Sequence, residues 1–213
     1  MELTAAAAWL NTTFANFDQS ITTAVHRLYE VCGSWMTPVM ELISLLGKAG
    51  IALIVLSLVL LVIRKTRRFG TAMLLGLAIG AVVVNLWLKV VVARPRPYAD
   101  INGFYYPLWQ MMGSHTESDY SFPSGHTNAA FACMVPAFLL GKKSWSWLCL
   151  LFAFLMGVSR IYLVVHYPSD VLGGLIMGTL AGLLGVLIMK HLPEKWYNWD
   201  LMKKNSRAKG AHE

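Results

Sequence analysis

The sequence predicts an all-α protein: a polytopic transmembrane helix bundle with five spans and a sixth, N-terminal helix. Three observations carry this. Apolar residues make up 56% of the 213 residues and charged residues only 14%, far below the roughly 25% usual in soluble domains. Five windows free of Asp, Glu, Lys and Arg cover residues 49–63, 69–88, 120–141, 144–159 and 171–189, against the roughly 17–25 residues that a span needs. The cations between those windows fall in blocks, as they do in the connections of a membrane bundle.

Taken in order, residues 1–42 form a helical region that spans the membrane or lies on its surface. It carries an alanine run (Ala5 to Ala8), an amphipathic stretch (Ile21, Ala24, Val25, Leu28) and the start of an apolar segment. No positively charged stretch precedes it, so no cleaved signal peptide is expected. The first window is too short alone and borrows residues 43–48, with Lys48 snorkelling or facing the bundle. A transmembrane domain, which the residues described below make the catalytic one, is expected over 43–190, and a basic cytoplasmic tail over 191–213. Cys32, Cys133 and Cys149 have neither metal nor disulfide spacing and read as core filler.

The net charge of +7 would suit a nucleic-acid partner, but the position of the cations argues for a membrane instead. Arg64, Lys65, Arg67, Arg68, Lys142, Lys143, Lys190, Lys195, Lys203, Lys204, Arg207 and Lys209 all fall on one side of alternating spans, which the positive-inside rule makes the cytoplasm. Lys89, Arg94, Arg96 and Arg160 fall at span ends on the opposite face, where that rule does not place them. No carboxylate adjoins the stretch KVVVARPRP at 89–97, so its missing counter-charge is expected to be the substrate. The connection 98–121 contains Asp100, Glu117 and Asp119, no Lys or Arg, and six aromatic residues, and suits both an interfacial anchor and a lid.

Two further segments reach the same face. In FPSGHT at 122–127, Ser124 can cap a helix and Gly125 allows close backbone approach, so the free N–H groups favour an anion in front of His126. In SRIYLVVHYPSD at 159–170, Arg160 ends one span and Asp170 follows His166 by four residues. A carboxylate there can hold one ring nitrogen and leave the other as a lone-pair nucleophile. Two histidines and a carboxylate could also ligate zinc, but the four cations beside them would repel a dication. They suit phosphate or pyrophosphate, which Arg grips with two parallel hydrogen bonds and Lys as a point charge.

The spacings Lys89–six residues–Arg96–Pro97, then Pro123–Ser124–Gly125–His126, then Ser159–Arg160–five residues–His166–three residues–Asp170 resemble the signature of the type 2 phosphatidic acid phosphatase (PAP2) superfamily. That family includes membrane lipid phosphatases, glucose-6-phosphatase and soluble vanadium haloperoxidases. The resemblance implies that His166 attacks phosphorus to form a phosphohistidine, with Asp170 orienting it. It also implies that His126 is the acid and base, and that Lys89, Arg96, Ser124, Gly125 and Arg160 hold the phosphoryl oxygens. Ser159 would support Arg160, and no metal or other cofactor is required. Arg94 has no place in the signature and is expected to face lipid headgroups or the loop.

The expected substrate is therefore a lipid phosphate or diphosphate on the outer face of the cell membrane. Undecaprenyl diphosphate is favoured over phosphatidylglycerophosphate or phosphatidic acid. A lipid phosphotransferase is the enzymatic rival, and a phospholipid-binding membrane protein or transporter is the rival from another class. The hydrophobic spans argue against a haloperoxidase.

Overall fold

The computed structural model describes residues 3–197, so the tail cations Lys203, Lys204, Arg207 and Lys209 lie outside the described residues. The described residues are helical, with no strand among them. Helix α1 (Ala5–Thr13) is capped by the Thr4 hydroxyl, which accepts from the Ala7 N–H at 3.1 Å. A one-residue break at Phe14 leads into α2 (Ala15–Cys32), which is amphipathic and buries Asp18 and Thr22.

Helices α3 (Met36–Leu46) and α4 (Ile51–Val62) are bent by 41° across the turn between them. The continuous first span expected from residue 43 is thus broken at its Lys48, where Ala49 and Gly50 take positive φ values of 51° and 67°. The break has a steric reason. A Cβ on Gly47 would lie 2.6 Å from the Met156 sulfur and 2.9 Å from the His126 ring, so the chain turns where it carries no side chain. Helix α3 also runs across residues 42 and 43, so no element boundary marks the expected start of the catalytic domain.

The longest apolar unit runs over Arg67–Ala99. It comprises α5 (Arg67–Gly80), a π-helical stretch (Ala81–Leu88) and the short α6 (Lys89–Val92), which stops at Ala93 with φ 48°. After α7 (Tyr105–Met111) come α8 (Gly125–Leu140), α9 (Trp147–Tyr162) and α10 (Pro168–His191). By length and composition, Arg67–Ala99 and Pro168–His191 can each cross a membrane, and the bent α3–α4 pair adds a third span if counted as one. Helices α8 and α9 are apolar but only 16 residues long. Each of the five charge-free windows overlaps one of these units. Their outward side chains, such as Val59, Phe154, Leu180 and Leu187, are large, apolar and exposed, as lipid-facing residues are.

The interior forms around α5, α8 and α10. A core of Leu53, Met73, Leu77, Phe131, Met134 and Met156 joins α4, α5, α8 and α9. Between helices in lipid the hydrophobic effect adds little, so close backbone contact must hold them, and small residues permit it. Gly174, Gly178 and Gly182 recur every fourth residue on α10 and face α8. A Cβ on Gly178 would stand 2.4 Å from the Asn128 carbonyl oxygen, and one on Gly76 of α5 would stand 2.4 Å from that of Ala132. The N–H of Ser124 also donates to the Asp170 carbonyl at 3.0 Å, which ties the start of α8 to the start of α10.

Gly178→Ala should therefore destabilise the detergent-solubilised protein by about 1–3 kcal/mol through overpacking. Leu180→Ala, on the exposed face of the same helix, should leave the thermal midpoint nearly unchanged; equal effects would contradict this packing.

Candidate active site

The π-helical stretch and α6 carry Asn85 and Lys89 to one end of the bundle. The extended segment after Ala93, where Pro95 cannot continue the helix and Pro97 opens a short 3-10 turn (Pro97–Ala99), carries Arg94 and Arg96 across that end. Wider helical turns of this kind often sit at functional sites, because they re-aim the side chains that follow. Helix α8 begins beside them. The Ser124 hydroxyl accepts from the Thr127 N–H at 3.4 Å and from the Thr127 hydroxyl at 2.9 Å, so it caps the helix. Gly125 follows, and a Cβ there would lie 3.2 Å from Asn85 Oδ1 and 3.8 Å from Lys89 Nζ. Ahead of Thr127, the N–H groups of Gly125 and His126 have no acceptor within the helix and can turn to a ligand.

A cavity of about 630 Å³ opens at this point, and Lys89, Arg96, Gly125, His126 and His166 line its polar end. It continues along Ile54, Leu74, Leu77, Ala78 and Ala81 of α4, α5 and the π-helical stretch, an apolar trough. A second cavity of about 490 Å³ lies alongside and includes Arg160, Ser44 and His115; His126, Glu117 and Lys48 line both. The residues expected at the site thus gather at one end, with two differences in placement. Arg160 faces the second chamber, and Ser124 lies beneath the first, fully buried and not among its lining.

His166 sits in the connection between α9 and α10, just before Pro168. Its Nε2 is 2.9 Å from an Arg96 guanidinium nitrogen, and its Nδ1 is 3.4 Å from Asp170 Oδ2. Arginine can only donate, so Nε2 is the acceptor and the ring proton belongs on Nδ1, toward the carboxylate. Burial, then the charges of Arg96, Arg160 and Lys89, push the His166 imidazole well below its usual 6.5. It is therefore neutral at physiological pH and keeps the lone pair on Nε2.

The expectation that these cations lack carboxylate neighbours is corrected by the loop that precedes α8. Asp119 bonds Lys89 with one oxygen and Arg96 with the other, and Glu117 bonds Arg160. The Arg96 Nε adds a bond to the Asp119 carbonyl at 2.9 Å. Burial works against the Asp119 carboxylate, but Lys89 and Arg96 outweigh it and hold its pKa below the usual carboxylate value. The loop is also anchored by its aromatics. Tyr98 stacks on Trp109 at 4.7 Å, the Tyr98 hydroxyl accepts from the Glu117 N–H at 3.0 Å, and His115 pairs with Glu41 of α3 at 2.9 Å.

Arg94 is the second correction. It faces neither headgroups nor the loop: it is 1% exposed, with its guanidinium spanning Asp18 of α2 at 2.9 Å and Asp170 of α10 at 2.7 Å. A pairing between residues 76 positions apart in each direction leaves no spacing signal, and Asp18 reads in sequence as one acidic residue on an amphipathic helix. Asn85 and Asn128 also line the cavity, and Asn128 Oδ1 is buried without a hydrogen-bond partner among the described residues. No group of three or more His, Cys, Asp or Glu placed to hold a metal ion occurs among the described residues.

Comparison with known proteins agrees with this arrangement. The chain is 32% identical over 137 residues to the undecaprenyl-diphosphatase of Sulfolobus acidocaldarius, a match covering 64% of this chain and 63% of that protein. It is 33% identical over 113 residues to undecaprenyl-diphosphatase BcrC of Bacillus subtilis, covering 50% and 51%. The chain thus spans about half to just under two thirds of these relatives' own lengths. The crystal structure of a transmembrane PAP2 type phosphatidylglycerolphosphate phosphatase from Bacillus subtilis shares the fold with a TM-score of 0.67 and 29% identity, over 88% of this chain and 92% of that one. Aquifex aeolicus LpxE shares the fold alone, with a TM-score of 0.63 and 24% identity over 79% and 94%. Together with the apolar helices, these likenesses identify a multi-pass membrane protein. The PAP2 superfamily pattern itself matches residues 69–193, which contain all three motifs and the gathered histidines and cations, and the chain belongs to that superfamily.

Proposed function

We propose that this chain hydrolyses a lipid-anchored phosphate or diphosphate through a phosphohistidine on His166, with undecaprenyl diphosphate as the favoured substrate. One observation carries the reading: two histidines face a single cavity whose polar end is ringed by Lys89, Arg96 and the first turn of α8, and whose far end is an apolar trough fit for a lipid chain. The names of the archaeal and Bacillus relatives favour the diphosphate. Phosphatidylglycerophosphate is the second reading, favoured by the name of the Bacillus structure and by a phosphatidylglycerophosphatase B of the same organism, 43% identical over 74 residues.

In the proposed reaction the lone pair of His166 Nε2 attacks phosphorus, the bond to the leaving oxygen breaks, and His126 gives that oxygen its proton. An arriving phosphate adds negative charge beside His126 and so favours its protonated form. His126 then takes a proton from water, which attacks the phosphohistidine and releases inorganic phosphate and free His166. The cations of Lys89, Arg96 and Arg160 and the N–H of Gly125 would stabilise the charge on the equatorial oxygens. Ser124 would contribute through the cap that presents Gly125. We assign the site to the extracytoplasmic face because Arg64, Lys65, Arg67, Arg68, Lys142 and Lys143 lie at the opposite helix ends. The domain limits 43–190 and the cytoplasmic tail 191–213 belong to the same proposal.

Three outcomes are expected of purified protein supplied with a polyprenyl diphosphate, a polyprenyl phosphate and phosphatidylglycerophosphate. His166→Ala should abolish phosphate release while the thermal midpoint stays near that of the parent, and unchanged turnover would sink the mechanism. Vanadate should inhibit and a chelator should not; loss of activity in chelator alone would revive metal catalysis. Asp119→Asn should lower KM several-fold, because a phosphate no longer has to displace a carboxylate from Lys89 and Arg96. A rise in KM would instead make Asp119 part of substrate binding.

A further inference from the structure

The N-terminal helix pair lies outside the stretch matched by the superfamily, yet it reaches the site. Resting on the phosphatase reading above, we infer that Arg94 and Asp18 form a buried charge relay of position that fixes Asp170, and through it the His166 imidazole, so that helix α2 is a working part of the active site.

The contacts are complete on every side. One guanidinium nitrogen of Arg94 donates both to Asp170 Oδ1 and to the Ser169 hydroxyl, each at 2.7 Å. The other donates to Asp18 Oδ2 at 2.9 Å, and Nε donates to Asn11 Oδ1 of α1 at 2.8 Å. The guanidinium lies over the Tyr167 ring, 3.8 Å from its centre, which adds a cation–π contact next to the nucleophile. Asp18 returns two bonds to α10, accepting from the Ser169 N–H at 2.7 Å and the Ser169 hydroxyl at 2.8 Å. The remaining oxygen of Asp170 accepts from the Tyr167 N–H at 3.0 Å and from the Ser121 hydroxyl, and it is this oxygen that faces His166 Nδ1.

The geometry gives Arg94 a function that packing alone does not require. A carboxylate buried this deeply is costly without a paired cation, and Arg94 is the cation that meets Asp170 Oδ1, which leaves Oδ2 to face Nδ1 and hold the ring in the orientation that frees Nε2. Lys89 and Arg96 do not fill that place, because their carboxylate partner is Asp119 on the loop. Arg94 touches neither cavity wall beside the histidines, and its action runs through Asp170, so it is a positioning residue.

The test compares Arg94→Gln, Arg94→Lys and Asp18→Asn with the parent for release of phosphate from farnesyl diphosphate and dioctanoyl phosphatidate. Competitive inhibition by inorganic phosphate and the thermal midpoint are measured in the same detergent. Parent turnover comes first: a folded parent that releases no phosphate overturns the phosphatase reading itself. Given parent turnover, Arg94→Gln should lower kcat by about 100-fold, the cost of a misplaced reacting group, while the inhibition constant for phosphate moves by less than about threefold. Arg94→Lys, which keeps the charge without the fork, should recover about tenfold of that loss. Asp18→Asn should lower kcat by about tenfold with the same spared phosphate binding, and it reads the contact from the other helix should Arg94→Gln fail to fold. Unchanged kcat, or equal losses of kcat and phosphate affinity with no rescue by lysine, would overturn the inference.

Discussion

Four buried cations at one end of an apolar bundle are the constraint on which the rest depends. Lys89, Arg94, Arg96 and Arg160 are all buried, and an unpaired ion in such a place costs on the order of several kcal/mol. Each therefore has an anionic partner, and the partners differ in kind. Asp18 and Asp170, which hold Arg94, are as buried as the arginine itself and are supplied by helices. Asp119 and Glu117, which hold the other three, stand on a loop with side chains 52% and 30% exposed. The first set is permanent structure; the second can be exchanged for an anion that arrives from outside.

Bringing those charges together requires helices closer than ordinary side chains allow. Gly174, Gly178 and Gly182 let α10 rest on the carbonyls of α8, and Gly76 lets α5 do the same from the other side. With backbones in contact and Ser124 bonded to Asp170, the starts of α8 and α10 open onto one space. The π-helical stretch then turns Asn85 and Lys89 into that space, and the prolines after Ala93 carry Arg96 over it. Packing in lipid and placement of the site are thus one problem solved by the same small residues.

Much of this was legible in the sequence. Charge-free windows located the apolar helices, and the spacing around Lys89, Ser124 and His166 named residues that the fold gathers at one end. The break between α3 and α4 was not read, although Gly47 and Gly50 flank Lys48, because its cause is the bulk of His126 and Met156, 79 and 109 residues after Gly47 in the chain. The partners of the cations were missed for a related reason. Local spacing reports side chains that share a helix face, whereas Arg94 with Asp18, or Arg160 with Glu117, meet only after the chain has folded. Asp119 and Glu117 were visible as the acidic residues of a cation-free loop, but not as the occupants of the anion seats.

That occupancy bears on what kind of phosphate the site can accept. At rest two carboxylates partner the three cations, Asp119 shared by Lys89 and Arg96 and Glu117 on Arg160, so an anion that displaces both must return at least the two negative charges it removes. A phosphate ester with a free terminal group carries about −1.5 to −2 at neutral pH, and a diphosphate carries more. A phosphodiester carries a single charge and would leave a buried cation short of its partner, at the penalty that the fold has otherwise avoided. On the proposed chemistry, then, the same two loop carboxylates that partner the cations of the empty site also set the least charge a substrate must bring, and this favours terminal phosphates over the diesters that make up the surrounding bilayer.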